Sequence, residues 1–161
     1  MAETVNPPLW ELGHVGWFEE FWIARNTERG RGAAARLEAP RAAPLLANAD
    51  ALYDSSTVAH ARRWQLDLPD AQRTRAYLCR VRERSLALLH DADTSDDALY
   101  FFRLALVHEA MHHEAGLMIA PQPLRLDREQ LRLDDVLLEN GNVYSAPLAT
   151  FDGDLEVPPG E

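Results

Sequence analysis

Apolar positions recur at helical spacing in three separate stretches of this chain. In the first, Trp10, His14, Trp17, Phe18 and Phe21 fall on one side of a segment from Pro7 to about Arg25, which predicts an amphipathic helix with a strongly aromatic face. Asn6 stands where a cap is expected, and Pro7 or Pro8 suits the first turn, where a missing N–H costs nothing. In the second, Leu78, Val81, Leu88 and Leu89 share one side, with Arg75, Arg82 and Arg84 on others, and the spacing predicts a helix from Pro69-Asp70 to about His90. The third and longest runs from about Ser95 to Ile119. Thr94 or Ser95 can cap it, Asp96 and Asp97 complement the positive end of its dipole, and Pro121 lies beyond its end.

The pattern lapses elsewhere. Residues 27–50 mix Gly, Pro, Ala and Arg without a period, so they read as a connection with a helical turn before Tyr53. From Pro121 onward come two Leu-Arg-Leu-Asp repeats (124–127 and 131–134), an Asn-Gly turn signal at 140–141, and a Gly- and Pro-bearing tail. Short extended segments are predicted there, with a short helix over 128–139 as the alternative.

Composition narrows the class. The 161 residues carry a formal charge of −10, from 26 acidic and 16 basic side chains, and every basic one is Arg. Phosphate binding needs clustered cations, so the acidic balance argues against nucleic acid as a partner. One cysteine, Cys79, excludes a disulfide framework and fits a reducing compartment. The opening MAETVNPPLW has no basic n-region followed by an apolar h-region, and no apolar run approaches 18 residues. These features predict a cytoplasmic protein without a membrane partner. A chain of this length can bury a sizeable core unaided, so a metal here would signal function rather than folding.

The chemistry concentrates in the third helix, at Val107-His108-Glu109-Ala110-Met111-His112-His113-Glu114. His108 and His112 are four residues apart, one turn from each other on one face, where two imidazoles can reach one ion. They lie amid Phe101, Leu104, Ala105, Met111 and Ala115, and His14 sits between Trp10 and Trp17 on the first helix. Packing those helices together would make a three-histidine set with coordination positions left open. Burying three such rings without a shared partner would be costly. Two other readings stand beside this one. A buried histidine is usually a hydrogen-bonded core residue, and the same letters spell His-Glu-x-x-His, the zinc-protease signature, with Glu109 as general base. Against the protease, no third ligand follows before Ile119 and no strand precedes the helix to align a peptide. His113 points about 100° away from the pair, and His60 and His90 lie near element ends, where solvated or capping roles are expected.

Asn6-Pro-Pro-Leu-Trp-Glu-Leu-Gly-His14-Val-Gly-Trp-Phe18, together with His108-Glu-Ala-Met-His112-His-Glu114, resembles the N-terminal DinB-like domain of the ergothioneine sulfoxide synthases and the related selenoneine synthases. The resemblance covers residues 5–120. It implies a non-haem Fe(II) centre held by His14, His108 and His112, with Zn, Ni or Co as substitutes after purification. It also implies dioxygen-dependent joining of a sulfur or selenium donor to the imidazole of hercynine, in a pocket shared with a formylglycine-generating-type second domain. Arg62 and Arg63, in Tyr53-Asp-Ser-Ser-Thr-Val-Ala-His60-Ala-Arg62-Arg63-Trp64, fall where that family has an Arg-bearing loop for the donor carboxylates; a solvated Arg pair is the equal alternative. Met111 stands where the family usually has a Gln that orients the imidazole substrate, which implies a different donor or substrate fit.

The expectation is therefore an all-α, DinB-like up-and-down helical bundle over residues 1–120. A linker and the start of the second domain, irregular and partly extended, would follow over 121–161. The family's first bundle helix has no counterpart before Asn6, so an exposed apolar flank, covered by the second domain or by self-association, is expected, and the fragment alone is expected to be inactive. A free-standing DinB-type thiol transferase or hydrolase, or a non-catalytic metal-binding module, is the alternative on the same fold.

Overall fold

In the computed structural model the backbone is described for residues 5–119 and side chains for residues 5–116. The expected extended segments, the alternative helix over 128–139 and the start of a second domain all lie outside the described residues. Among the described residues there are four α-helices and no strand: α1 (Pro8–Glu19), α2 (Ala49–Tyr53), α3 (Ala71–His90) and α4 (Asp96–Ile119). Single 3-10 segments at Arg29–Ala34 and His60–Gln65 lie in the connections. The all-α bundle is as expected, with α1 packed against both α3 and α4.

Each helix starts for a local reason. Asp70 caps α3, its carboxylate accepting the Arg73 N–H at 2.8 Å. Ser95 Oγ accepts the Ala98 N–H at the start of α4, so of the two candidate caps it is Ser95 that serves. At α1 the expected Asn6 cap is not made. Pro7 is the boundary residue and no side chain caps it; the Asn6 amide reaches instead to Glu11, and its carbonyl accepts from Arg63.

The segment predicted as one helix to Arg25 changes pitch at Glu20. Residues Glu20–Ala24 form a π turn, in which the Arg25 N–H reaches back five residues to the Glu20 carbonyl at 2.9 Å. Glu20 is fully buried, where its carboxylate accepts the Leu45 N–H at 2.7 Å and the Tyr77 hydroxyl at 2.8 Å. A buried carboxylate is tolerable only when hydrogen-bonded in this way. Arg25 closes the same region: its guanidinium takes both oxygens of Asp50, at 2.6 and 2.8 Å, and its Nε–H reaches the Ala42 carbonyl. The long connection is thus tied to α1 by polar contacts that no periodicity could reveal.

Two apolar clusters complete the core. Trp10, Trp17, Ala49, Leu52 and Tyr53 form one, between α1 and α2. Ile23, Phe101 and Ala105 form the other, between the π turn and α4. The start of α4 lies so close to Gly32 that a Cβ there would meet Asp97 Cα at 2.7 Å, and Gly32 also has φ +54°, so glycine is required twice over. Leu106, Val107 and Met111 of α4 and Leu86 of α3 are more than half exposed. No helix among the described residues is long and apolar enough to cross a membrane.

Candidate metal centre

His14 arrives from the middle of α1, and His108 and His112 from successive turns of α4. Three ring nitrogens, one from each, lie within 4.8 Å of one another. His14 is held face to face by its own helix: Trp10 stacks on it with centroids 4.8 Å apart and Trp17 at 5.8 Å, as residues four before and three after should. Its Nδ1–H donates to the Tyr53 carbonyl at 2.8 Å, which leaves Nε2 with its lone pair free. His112 is fixed in the same sense by a different group. Its Nδ1–H donates to the Glu11 carboxylate at 2.6 Å, again leaving Nε2 as the ligand atom. His108 is set by packing, its ring stacked on Phe18 at 3.6 Å and nearly parallel.

The consequence is a convergence of three ring nitrogens. His108 Nε2 and His112 Nε2 stand 3.2 Å apart. Two lone pairs at that distance repel unless a proton or a cation lies between them. Two nitrogens bound to one ion at about 2.1 Å are separated by about 3.0 Å at a right angle and about 3.4 Å at the tetrahedral angle, so the observed spacing suits two ligands of one ion as well as a shared proton. A donor set of three neutral imidazoles, two with hydrogen-bonded outer nitrogens, fits a divalent transition metal.

Electrostatics keep the site ready for a cation. Burial pushes His108 down to about 3, with the neighbouring His112 and His14 adding to the shift. His14 is also lowered, by burial first, although the Tyr53 carbonyl opposes the change. Burial works against the charge on Glu11, but the hydrogen bonds from His112 and Asn6 outweigh it and hold the carboxyl below its ordinary value. A histidine whose folded value lies below its unfolded one binds more protons when unfolded, so stability falls as pH drops below about 6.5 and keeps falling toward the folded value. The lowered carboxyl of Glu11 acts in the same direction lower down. Metal-free protein should therefore melt at a lower temperature at pH 5 than at pH 7, and His108→Ala should flatten that dependence. An equal slope in the variant would show that His108 is not a source of the acid sensitivity.

Glu109 faces α3, where both its oxygens take the Arg82 guanidinium, at 3.0 and 3.2 Å. The carboxylate that a zinc protease would need as base is thus engaged elsewhere, while the third imidazole comes from α1. His113 and His90 are exposed and His60 is half-buried. Met111 is 56% exposed. Arg62 is exposed, whereas Arg63 is turned inward, donating to Asn6 Oδ1 at 2.8 Å and the Val58 carbonyl at 3.2 Å and lying 3.9 Å over the Trp10 ring. Glu11, Phe18 and the Tyr53 carbonyl were not singled out by sequence reasoning. Glu11 alone left a signal there, being an acid three residues before His14 on the same helical face.

Residues 2–115 match the DinB superfamily. The chain belongs to that superfamily. The chain is also similar to proteins named hercynine oxygenase. That of Mycolicibacterium smegmatis is 32% identical over 113 residues, covering 70% of this chain and 24% of the relative. That of Mycobacterium tuberculosis is 29% identical with the same coverage, and that of Mycolicibacterium thermoresistibile is 30% identical over 118 residues. The chain spans about a quarter of the length of these relatives.

Proposed function

We propose that this DinB-superfamily chain is the metal-binding domain of a non-haem Fe(II), dioxygen-dependent enzyme that joins a sulfur or selenium donor to the imidazole of hercynine. The observation that carries the reading is the convergence of His14, His108 and His112 on one point, in a chain similar to hercynine oxygenases over 70% of its length. Three protein ligands leave coordination positions open, and Fe(II) bound there would supply the site at which dioxygen and a soft donor meet. Zinc, nickel or cobalt would replace it readily in a purified sample, because imidazole sites favour them over iron in solution.

The chain's own residues would do the positioning. Tyr53 and Glu11 keep two imidazoles in the tautomer that presents Nε2, and Phe18 keeps the third ring in plane. The Trp10, Trp17 and Phe18 rings keep water from the inner side of the site. Arg62, exposed in the turn after Val58, would offer its planar fork to a donor carboxylate. Met111 offers an apolar contact where a Gln would hydrogen-bond an imidazole, so the substrate side of the pocket is less polar here. A formylglycine-generating-type domain, beginning in residues 121–161, would provide the facing wall.

Mass spectrometry of aerobic reactions tests this. The Fe(II)-loaded chain joined to such a domain should couple hercynine to cysteine, γ-glutamylcysteine or a selenosugar, and the chain alone should not. Product from the chain alone overturns the two-domain reading. No product from the joined protein with any donor overturns the hercynine reading.

A further inference from the structure

The metal ligands are supported from outside by a polar chain that ends on a residue 49 positions before the second ligand helix's His112. Arg63 Nη1 donates to Asn6 Oδ1 at 2.8 Å. The other end of the Asn6 amide donates to Glu11 Oε1, and Glu11 Oε2 receives the His112 Nδ1–H at 2.6 Å. The same guanidinium covers Trp10, which in turn stacks on His14. One side chain thus backs two of the three imidazoles, through hydrogen bonds to one and through stacked rings to the other.

Resting on the metal reading above, we propose that Glu11, Asn6 and Arg63 form a positioning relay that tunes metal affinity, with Glu11 as its acting group and Arg63 as its anchor. The physical basis is threefold. A carboxylate on Nδ1–H fixes the tautomer and makes Nε2 more electron-rich, so the ligand binds a cation more strongly. Left alone, a half-buried Glu carboxylate on a helix turn would sample several rotamers; the Asn6 amide restricts it to the one that faces His112. Asn6 is itself held, because its carbonyl is taken by Arg63, whose remaining donors go to the Val58 and Ser55 carbonyls and fix the guanidinium to the segment just before the His60–Gln65 turn. This also explains why Asn6 does not cap α1. Its two polar groups are spent on the relay, and the proline at the helix start leaves fewer N–H groups in need of a cap.

The arrangement separates the two neighbouring arginines by role. Arg62 is exposed, whereas Arg63 works through Asn6 and Glu11 and through Trp10.

Titration of the metal-free chain with Co(II), followed by its visible absorption, tests the relay. Glu11→Ala should weaken Co(II) binding by about 10- to 100-fold. Glu11→Gln, whose amide oxygen can still accept from Nδ1–H, should weaken it less, yet should shift the absorption band of the saturated protein because the charge behind His112 is gone. Asn6→Ala and Arg63→Met should each weaken binding several-fold, and Arg103→Met, on an exposed pair with Asp96, should leave it unchanged. A residue with only a structural role would lower the melting temperature without moving that band. Affinity within twofold of the unsubstituted chain in Glu11→Gln, with an unmoved band, overturns the relay while the three-histidine site stands. An unsubstituted chain that takes up no Co(II) overturns the metal reading and the relay together. Glu11→Gln keeps the test decisive if Glu11→Ala fails to fold.

Discussion

Replacing His14, His108 or His112 by Ala is expected to lower metal affinity by roughly a thousandfold in each case. Structural Zn(II) in peptides with four side-chain ligands binds with about 10–16 kcal/mol, so one ligand is worth about 4 kcal/mol at the upper end. His14→Ala is the informative member of the series, since it removes the ligand that comes from α1 and leaves the pair on α4 intact. Metal content measured by elemental analysis after purification should fall sharply in all three variants. His60→Ala and His90→Ala should retain it, because neither side chain belongs to the cluster. Full loading of the His14→Ala protein would mean that the pair on α4 suffices, and the zinc-protease reading would then have to be reopened despite the engagement of Glu109 by Arg82.

Gly13→Ala should damage stability and the metal site together. A Cβ at Gly13 would lie 2.2 Å from the Tyr53 ring, far inside contact distance. Tyr53 is only 1% exposed, and a rigid buried ring cannot swing aside as a flexible chain could. The strain expected of such overpacking is about 1–3 kcal/mol, which lowers the melting temperature of a chain of this size by about 2–4 °C per kcal/mol. The damage should not stop at stability. Moving Tyr53 moves the carbonyl that orients His14 and, through Leu52, the carbonyl that accepts the Trp10 indole N–H at 2.7 Å. Metal affinity should therefore drop together with the melting temperature. Gly30→Ala is the matched control, since nothing lies within 4 Å of its position. Unchanged metal affinity in Gly13→Ala would show that His14 does not depend on the Tyr53 carbonyl for its orientation.

Both predictions depend on contacts that join distant parts of the chain. The three long helices were legible from local information alone, because an apolar stripe at a period of 3.6 and a capping Asp or Ser act over a few residues. His108 and His112 were legible for the same reason, their spacing being fixed once the helix is. His14 was legible as an imidazole on an apolar face, and its meeting with the other two required only that two amphipathic helices pack. Glu11 illustrates the boundary. Its placement one turn from His14 is in the sequence, but the His112 nitrogen it holds lies 101 residues away.

What the tertiary structure alone decided are the features in which a side chain had several available partners. Asn6 could cap α1 or join the relay, and the approach of Arg63 settles that in favour of the relay. Arg62 and Arg63 are adjacent and chemically identical, so no local rule could say which faces the solvent and which the Trp10 ring. Glu20 has no helical preference against solvent; it is buried because the π turn aims it at the Tyr77 hydroxyl and the Leu45 N–H, which belong to other segments. Helices and ligand spacing follow from short-range sterics and burial, which a sequence states directly. The choice among competing hydrogen-bond partners follows from which groups lose access to water together, and only the packed chain determines that.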